Sequence, residues 1–353
     1  MFDVVLEILN SFNIPGDIMC YYPTGNGHIN FTYLCETTNR KKYILQRINN
    51  VVFKDVDMLM SNYSKVVSYL KNNNSGTLEL IKSKDNKYYS FVKGYPYRIY
   101  EYIDNAICYE KCSNPELVFK AGDAFGKFHK VFRNFDAKVL KEVIPNFHNT
   151  HLRYLNLLDA MKLNPLGRVK TCVSEINKIN NFKDKFSIIE DGIKSGEINL
   201  SVTHNDPKIN NVLFDEKTGE IRAVIDLDTV MPGSYLYDFG DALRSLFTGD
   251  NEDNEDTSKL VVDYEIFEAY VKGYLGQMKD VLTKKEKELL GFSVFLLSIE
   301  LAIRFLEDYI RGDVYFKTKM PDHNLIRSRT QIALAEDVFN NLDKLDLIVK
   351  KYA

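Results

Sequence analysis

The sequence predicts an α+β protein of two lobes, and three observations carry that expectation. Up to about residue 104 the pattern is mostly short strands, beyond it the pattern turns to long amphipathic helices, and one β island interrupts those helices between residues 200 and 228. With 353 residues, 45% hydrophobic and 27% charged, the chain is long enough for both lobes and too apolar for general disorder.

At the N-terminus, MFDVVLEILN carries acid where a signal peptide needs Lys or Arg, so no export is expected. The segments YYPTGNGHINFTYLCE, KKYILQRI, TLELIKS, KYYSFVKG and YPYRIYEYI read as strands of one small antiparallel sheet. Between them Asp55 can cap a helix whose apolar positions Val56, Leu59, Met60, Tyr63, Val67 and Leu70 share one face, which must pack on the sheet. Residues 1–104 are the expected N-lobe and 105–353 the expected helical C-lobe, with helices over 115–132 and 284–311. The apolar stretch 294–303 contains Glu300 and falls well short of the roughly twenty residues a membrane helix needs, so it reads as a buried core helix. The acidic run 250–256 lacks the twelfth-position Glu of a calcium loop and reads as solvated. A junction between two lobes is a preferred place for a small-ligand site.

Composition removes several functions. A net charge of -3 supplies no positive field for nucleic acid or an anionic membrane, so any phosphate must be held locally. The five cysteines, Cys20, Cys35, Cys108, Cys112 and Cys172, show no metal-ligand spacing and suit a reduced cytoplasm.

The β island reads INLSVTHNDPKINNVLFDEKTGEIRAVIDLDTV. Val212 to Phe214 and Ile221 to Ile225 are the arms of a hairpin, with turn residues between them and Gly219 free to take positive φ. That register sets Asn211 and Asp226 opposite each other at the open end, an amide oxygen and a carboxylate suited to Mg²⁺ with substrate phosphates. Asp206, five residues earlier, is placed to accept a proton from an attacking hydroxyl, and Lys208 to set an ammonium on the transferring phosphoryl group. The pattern H-x-D-x-x-x-x-N alone arises by chance with odds on the order of a few per cent. Joined to a hairpin ending in I-D-x-D, it points to phosphoryl transfer. His204 is expected to brace the loop backbone through its ring rather than to move protons. Asp228 shares a strand face with Asp226, which leaves metal, sugar or solvent as its surroundings.

Segments 204–211 and 225–228 resemble the catalytic and metal loops of the protein-kinase-like aminoglycoside phosphotransferase and choline kinase superfamily. GNGHIN at 25–30, YILQRIN at 43–49, HNDPKINNVLFD, IDLDTVMPGSYLYDFGDALR and RFLEDYIRGDVYF at 304–316 together resemble the N-acetylhexosamine 1-kinases, in order along nearly the whole chain. The resemblance implies a protein-kinase-like two-lobe fold and ATP- and Mg²⁺-dependent phosphorylation of the anomeric hydroxyl of N-acetylglucosamine or N-acetylgalactosamine. It implies Asp206 as general base, Lys208 on phosphate, Asn211 and Asp226 as metal ligands, and His28, Arg304 and Tyr315 near the sugar. Gly25 and Gly27 suit a phosphate-covering loop, although Asn30 stands where a third glycine belongs. Arg47 takes the strand position where protein kinases place lysine, with Asp57 and Asn62 as candidate partners on the following helix. Asp238-Phe239-Gly240 spells the kinase metal triplet, yet it follows the metal loop, so Asp238 is expected to hold backbone N–H groups of the catalytic loop. Arg98, Glu101 and Tyr102 lie where the interlobe connection is expected, without a side-chain role. The alternatives are a kinase for another sugar or a choline-like or homoserine-like alcohol, and a nucleotide-binding pseudokinase that serves as an interaction module. The intact Asp206, Asn211 and Asp226 argue against the last.

Overall fold

The computed structural model describes residues 2–24, 30–110 and 112–353. In chain order its elements are α1 (Phe2–Asn10), β1 (Ile18–Pro23), β2 (Phe31–Thr37), β3 (Lys42–Arg47), α2 (Val56–Asn72), β4 (Leu80–Ile81), β5 (Ser90–Val92), β6 (Tyr95–Glu101), β7 (Ala106–Ile107), α3 (Pro115–Val131), α4 (Thr150–Leu163), α5 (Val173–Asn180) and α6 (Ile188–Ser195). There follow β8 (Ser201–Thr203), β9 (Val212–Asp215), β10 (Ile221–Val224), β11 (Met231–Gly233), α7 (Tyr235–Thr248), α8 (Tyr264–Met278), α9 (Lys284–Glu288), α10 (Leu290–Arg311), α11 (His323–Asn340) and α12 (Leu342–Tyr352). The fold is α+β, an antiparallel sheet followed by a helical lobe, as the sequence predicts.

Two compact units divide the chain, one of Met1–Ile107, Leu140–Ile144 and Leu213–Val230, the other of Cys108–Val139, Pro145–Val212 and Met231–Ala353. The first unit is therefore larger than the expected 1–104, because it takes in the hairpin of β9 and β10. Backbone contact explains why. Strand β7 pairs with β9, Ala106 opposite Asp215 and Ile107 opposite Phe214. A Cβ on Gly76 would stand 1.8 Å from the Arg222 carbonyl oxygen, so only glycine permits that approach.

In the first unit the sheet runs β1-β2-β3-β6-β4, with β5 also on β6. The segment YYPTGNGHINFTYLCE holds two strands rather than one, since Tyr21 in β1 pairs with Cys35 in β2. Helix α1 is absent from the expected elements. It lays Val5, Ile8 and Leu9, with Phe12 just beyond, on one sheet face against Cys35, Tyr43, Leu45, Tyr97 and Ile99. Helix α2 begins as expected, with Asp55 accepting a bond from the Met58 N–H at 2.8 Å. It covers the other face, where the Tyr63 and Tyr100 rings meet at 5.8 Å.

In the second unit, α10 is buried along most of its length and packs on α4, α7, α11 and α12. Its apolarity is that of a core helix; no described helix is long and apolar enough to cross a membrane. Glycines let α3 and α8 approach closely: a Cβ on Gly122 would stand 2.4 Å from the Tyr270 carbonyl oxygen, and one on Gly273 2.1 Å from that of Phe119. The run 250–256 departs from the solvated loop expected. Asp253 bonds Arg327 Nε at 2.7 Å and lies 2.9 Å from His323 Nε2, which ties the run to α11.

Candidate functional site

Candidate functional side chains stand in both units, and each set is built up from its own elements. In the second unit, β8 ends at Thr203 and the chain turns through Asn205, which takes a left-handed conformation (φ 62°). A turn of that kind must be held. Asp238, in the first turn of α7, accepts the backbone N–H groups of His204 at 2.6 Å and Asn205 at 2.7 Å. The same carboxylate receives His129 Nε2 at 2.7 Å, and His129 Nδ1 meets the Tyr274 hydroxyl at 2.9 Å. Asp238 is 1% exposed. The His204 ring lies edge-on to Phe125 and Phe128 at 5.6 and 5.8 Å, and its Nδ1 accepts the Asp206 N–H at 3.3 Å.

The loop so fixed presents three polar side chains together. Lys208 Nζ sits 2.9 Å from Asp206 Oδ1, while Asn211 Nδ2 donates to the Asp206 carbonyl at 2.8 Å and to its Oδ2 at 3.2 Å. The Asn211 amide nitrogen is thereby committed to Asp206. The charge of Asp206, opposed by burial, holds Lys208 above the usual lysine range, so it stays an ammonium. Arg244 reinforces the ring of charge from α7. It bonds Asp241 Oδ1 at 2.6 Å, and although burial opposes it, that ion pair keeps Asp241 below the ordinary carboxylate range.

In the first unit, the chain leaving β10 passes through Asp226 in the left-handed region (φ 59°). Asp228 follows, buried at 4%, with both oxygens engaged. Arg98 from β6 grips it bidentately, Nη1 on Oδ1 and Nη2 on Oδ2 at 2.8 Å. Asn30 adds a bond to Oδ2 at 2.7 Å, and Gln46 Oε1 accepts from Arg98 Nε at 3.1 Å. A solvent-facing Asp228 is thereby excluded. Arg98 is corrected as well: it lies inside β6, 1% exposed, rather than in a connection. Burial alone would lower its pKa, yet Asp228 holds it above the ordinary arginine value.

Strand alternation decides which way Arg47 faces. It shares a face with Tyr43 and Leu45, on the α1 side, and stacks over Phe31 at 4.1 Å and Tyr95 at 4.7 Å. The β3 side chain on the face of Asp228 is Gln46. Neither candidate partner serves Arg47: Asp57 accepts the Tyr89 hydroxyl, and Asn62 bonds the backbone of Lys141 and Val230. Gly25, Gly27 and His28 lie outside the described residues.

Arg304 and Tyr315 are both in the second unit. The Arg304 guanidinium sits between the rings of Phe147 and Phe316, at 5.3 and 5.6 Å, and Tyr315, 62% exposed, meets Phe316 edge-on at 4.8 Å. Sequence reasoning missed what shapes this corner. Asp308, inside the block RFLEDYIRGDVYF, accepts the N–H groups of Val314, Tyr315 and Phe316 at 2.9, 2.8 and 3.0 Å. The run of Asp, turn glycine and aromatics was the available signal. His148 and Glu300 beneath Phe147 were missed too.

An antiparallel sheet, a helical lobe and an H-x-D-x-x-x-x-N loop pinned by a buried aspartate are the features of a phosphotransferase with a kinase-like fold. The chain belongs to the phosphotransferase enzyme family APH, whose profile matches residues 23–269. It is similar in structure to an aminoglycoside phosphotransferase from Alicyclobacillus acidocaldarius subsp. acidocaldarius DSM 446, with 14% identity, TM-score 0.65, and coverage of 98% of this chain and 96% of that one. A microcompartment-associated aminopropanol kinase matches at 15% identity and TM-score 0.64, over 98% and 99% of the two chains. An amicoumacin kinase in complex with AMP-PNP and Ca²⁺ matches at 13% identity and TM-score 0.61, over 95% and 93%. Likeness at such identities speaks for the fold alone.

Proposed function

We propose that the protein transfers the γ-phosphoryl group of ATP to the anomeric hydroxyl of an N-acetylhexosamine, giving the sugar 1-phosphate. One observation carries the reading: Asp206, Lys208 and Asn211 are gathered on a loop whose backbone a buried carboxylate fixes. Asp206 receives the hydroxyl proton as the oxygen attacks phosphorus, and the bond to the ADP oxygen breaks. Lys208, held as an ammonium, faces the charge that grows on the phosphoryl oxygens.

Mg²⁺ is the proposed ion, and the chemistry of the donors in each unit supports it. Asn211 Oδ1 and the Asp226 carboxylate are hard oxygen donors, and Mg²⁺ takes one or two protein ligands together with phosphate oxygens and water. Bound there, Mg²⁺ supplies charge neutralisation to the phosphates.

The sugar assignment rests on Arg304, stacked between two phenyl rings with its donors uncommitted, beside the exposed Tyr315. Such a pair can bond ring hydroxyls and an acetamido carbonyl while an aromatic face meets the sugar's apolar side. The test is ADP release from Mg-ATP across a panel of hexosamines, other sugars, choline, ethanolamine, aminopropanol and homoserine, with NMR locating the phosphate on the product. Phosphorus coupling at the anomeric carbon is the expected result. Preference for an amino alcohol refutes the sugar reading, and a thermal shift with Mg-ATP but no acceptor-dependent turnover refutes the enzyme.

A further inference from the structure

Beneath Phe147 in the second unit lies a buried histidine whose two ring nitrogens are in unlike situations. His148, 7% exposed, puts Nδ1 2.9 Å from Glu300 Oε1, while its Nε2 has no hydrogen-bond partner. Glu300 is 1% exposed, and its second oxygen takes the Thr150 hydroxyl at 2.7 Å. Burial works against its charge, yet His148, Thr150 and Arg304 together keep it below the usual carboxylate range. An ionised carboxylate only accepts hydrogen bonds, so the proton on Nδ1 is fixed and Nε2 is the nitrogen left to find a partner.

A buried nitrogen without a partner costs free energy unless something else bonds it. Its surroundings say what. Phe147 touches the imidazole, with centroids 4.5 Å apart, and the same ring carries the Arg304 guanidinium at 5.3 Å. On the other side the ring meets Tyr237 of α7 at 5.2 Å, one turn before Asp241, whose carboxyl is itself influenced by both His148 and Lys208. His148 thus stands between the Arg304 corner and the Asp206 loop. Nε2 is closed to solvent, so a ligand reaches it only if a ring beside it, such as Phe147, turns aside.

We propose that His148 Nε2, oriented by Glu300, binds a hydroxyl of the acceptor substrate and is a specificity-determining residue of the acceptor site. A hydroxyl both donates and accepts, so it satisfies Nε2 whether that nitrogen carries a proton or a lone pair. The inference rests on the phosphotransfer reading of this site but requires only a hydroxyl-bearing acceptor.

Two variants separate binding from bracing. In H148N the amide nitrogen replaces Nδ1 and keeps the Glu300 bond, with nothing at Nε2; in H148Q the amide nitrogen replaces Nε2 and the Glu300 bond is lost. Acceptor kcat/KM is expected to fall about tenfold or more in H148N and less in H148Q, with the KM for ATP unchanged in both. A purely structural histidine, or one that bonds only a buried water, gives the reverse order or no loss. Independently, the wild-type His148 Nε2 nitrogen resonance, assigned by its absence from H148N, is expected to move when the acceptor is added without ATP. A resonance unmoved by every member of the panel, or an H148N variant at least as active as H148Q, overturns the proposal. An amino alcohol that moves the resonance and is phosphorylated in preference to any hexosamine refutes the sugar reading and leaves this inference standing.

Discussion

Arg98 in β6 and Arg304 in α10 carry the same side chain into opposite surroundings. Arg98 is 1% exposed and its guanidinium is used up by Asp228 and Gln46. Arg304 is partly exposed, lies between Phe147 and Phe316, and has no hydrogen bond to another described residue. Under the proposed function, the difference separates scaffold from site. A guanidinium whose donors are all spent can only hold the fold, whereas one fixed by stacking, with its fork of donors left open, is prepared for something from outside. Asp228 and Asp206 divide in the same way, one closed inside an ion pair and the other about one-third exposed.

The comparison can be broken by substitution, because the two sides predict losses of different kinds. The largest expected effect is on turnover. Asp206→Asn should lose at least about a hundredfold in kcat with an unchanged urea midpoint, and Asp226→Ala should lose all measurable activity. A midpoint that falls in step with activity moves Asp206 to the scaffold side. Next comes Arg98→Met, which strands a buried carboxylate and should cost about 3–5 kcal/mol of stability by urea unfolding. Arg98→Met with Asp228→Leu removes both charges and should recover much of that loss; equal destabilisation by the single and double variants denies that the pair is coupled. Smaller again is Arg304→Ala, expected to lower acceptor kcat/KM by about ten- to a hundredfold while the melting temperature and the KM for ATP hold. Tyr315→Phe, at an exposed position, should lose less than about tenfold. If the Arg304 variant weakens ATP and spares the acceptor, its open guanidinium serves the nucleotide instead.

Local signals were legible in the sequence and distant pairings were not. The β9 to β10 hairpin, the Asp55 cap and the buried face of α2 follow from spacing within a few residues, and the structure has them where spacing puts them. Asp228 and Arg98 are 130 residues apart, and nothing local distinguishes a carboxylate bound for a metal from one bound for an arginine. For Arg47 the analogy with a lysine-bearing strand carried no strand parity, and alternation turns its side chain toward α1. Helix α1 went unread because its apolar residues were weighed only as a leader, although Val5, Ile8, Leu9 and Phe12 keep helical spacing. His148 carries no motif, and only burial reveals an imidazole with one nitrogen left over.

The clamp on the 204–211 loop has a kinetic signature of its own. The amide protons of His204 and Asn205 end on the Asp238 carboxylate, which His129 and Tyr274 seal into the packing of α3, α7 and α8. Solvent deuterium therefore cannot reach those two amides by a local flutter of the loop; they should exchange only when the helical unit itself opens. Functional loops are ordinarily drawn from the fast-exchanging part of a protein, and here two consecutive loop amides should be among the slowest, reporting the opening free energy of the whole unit.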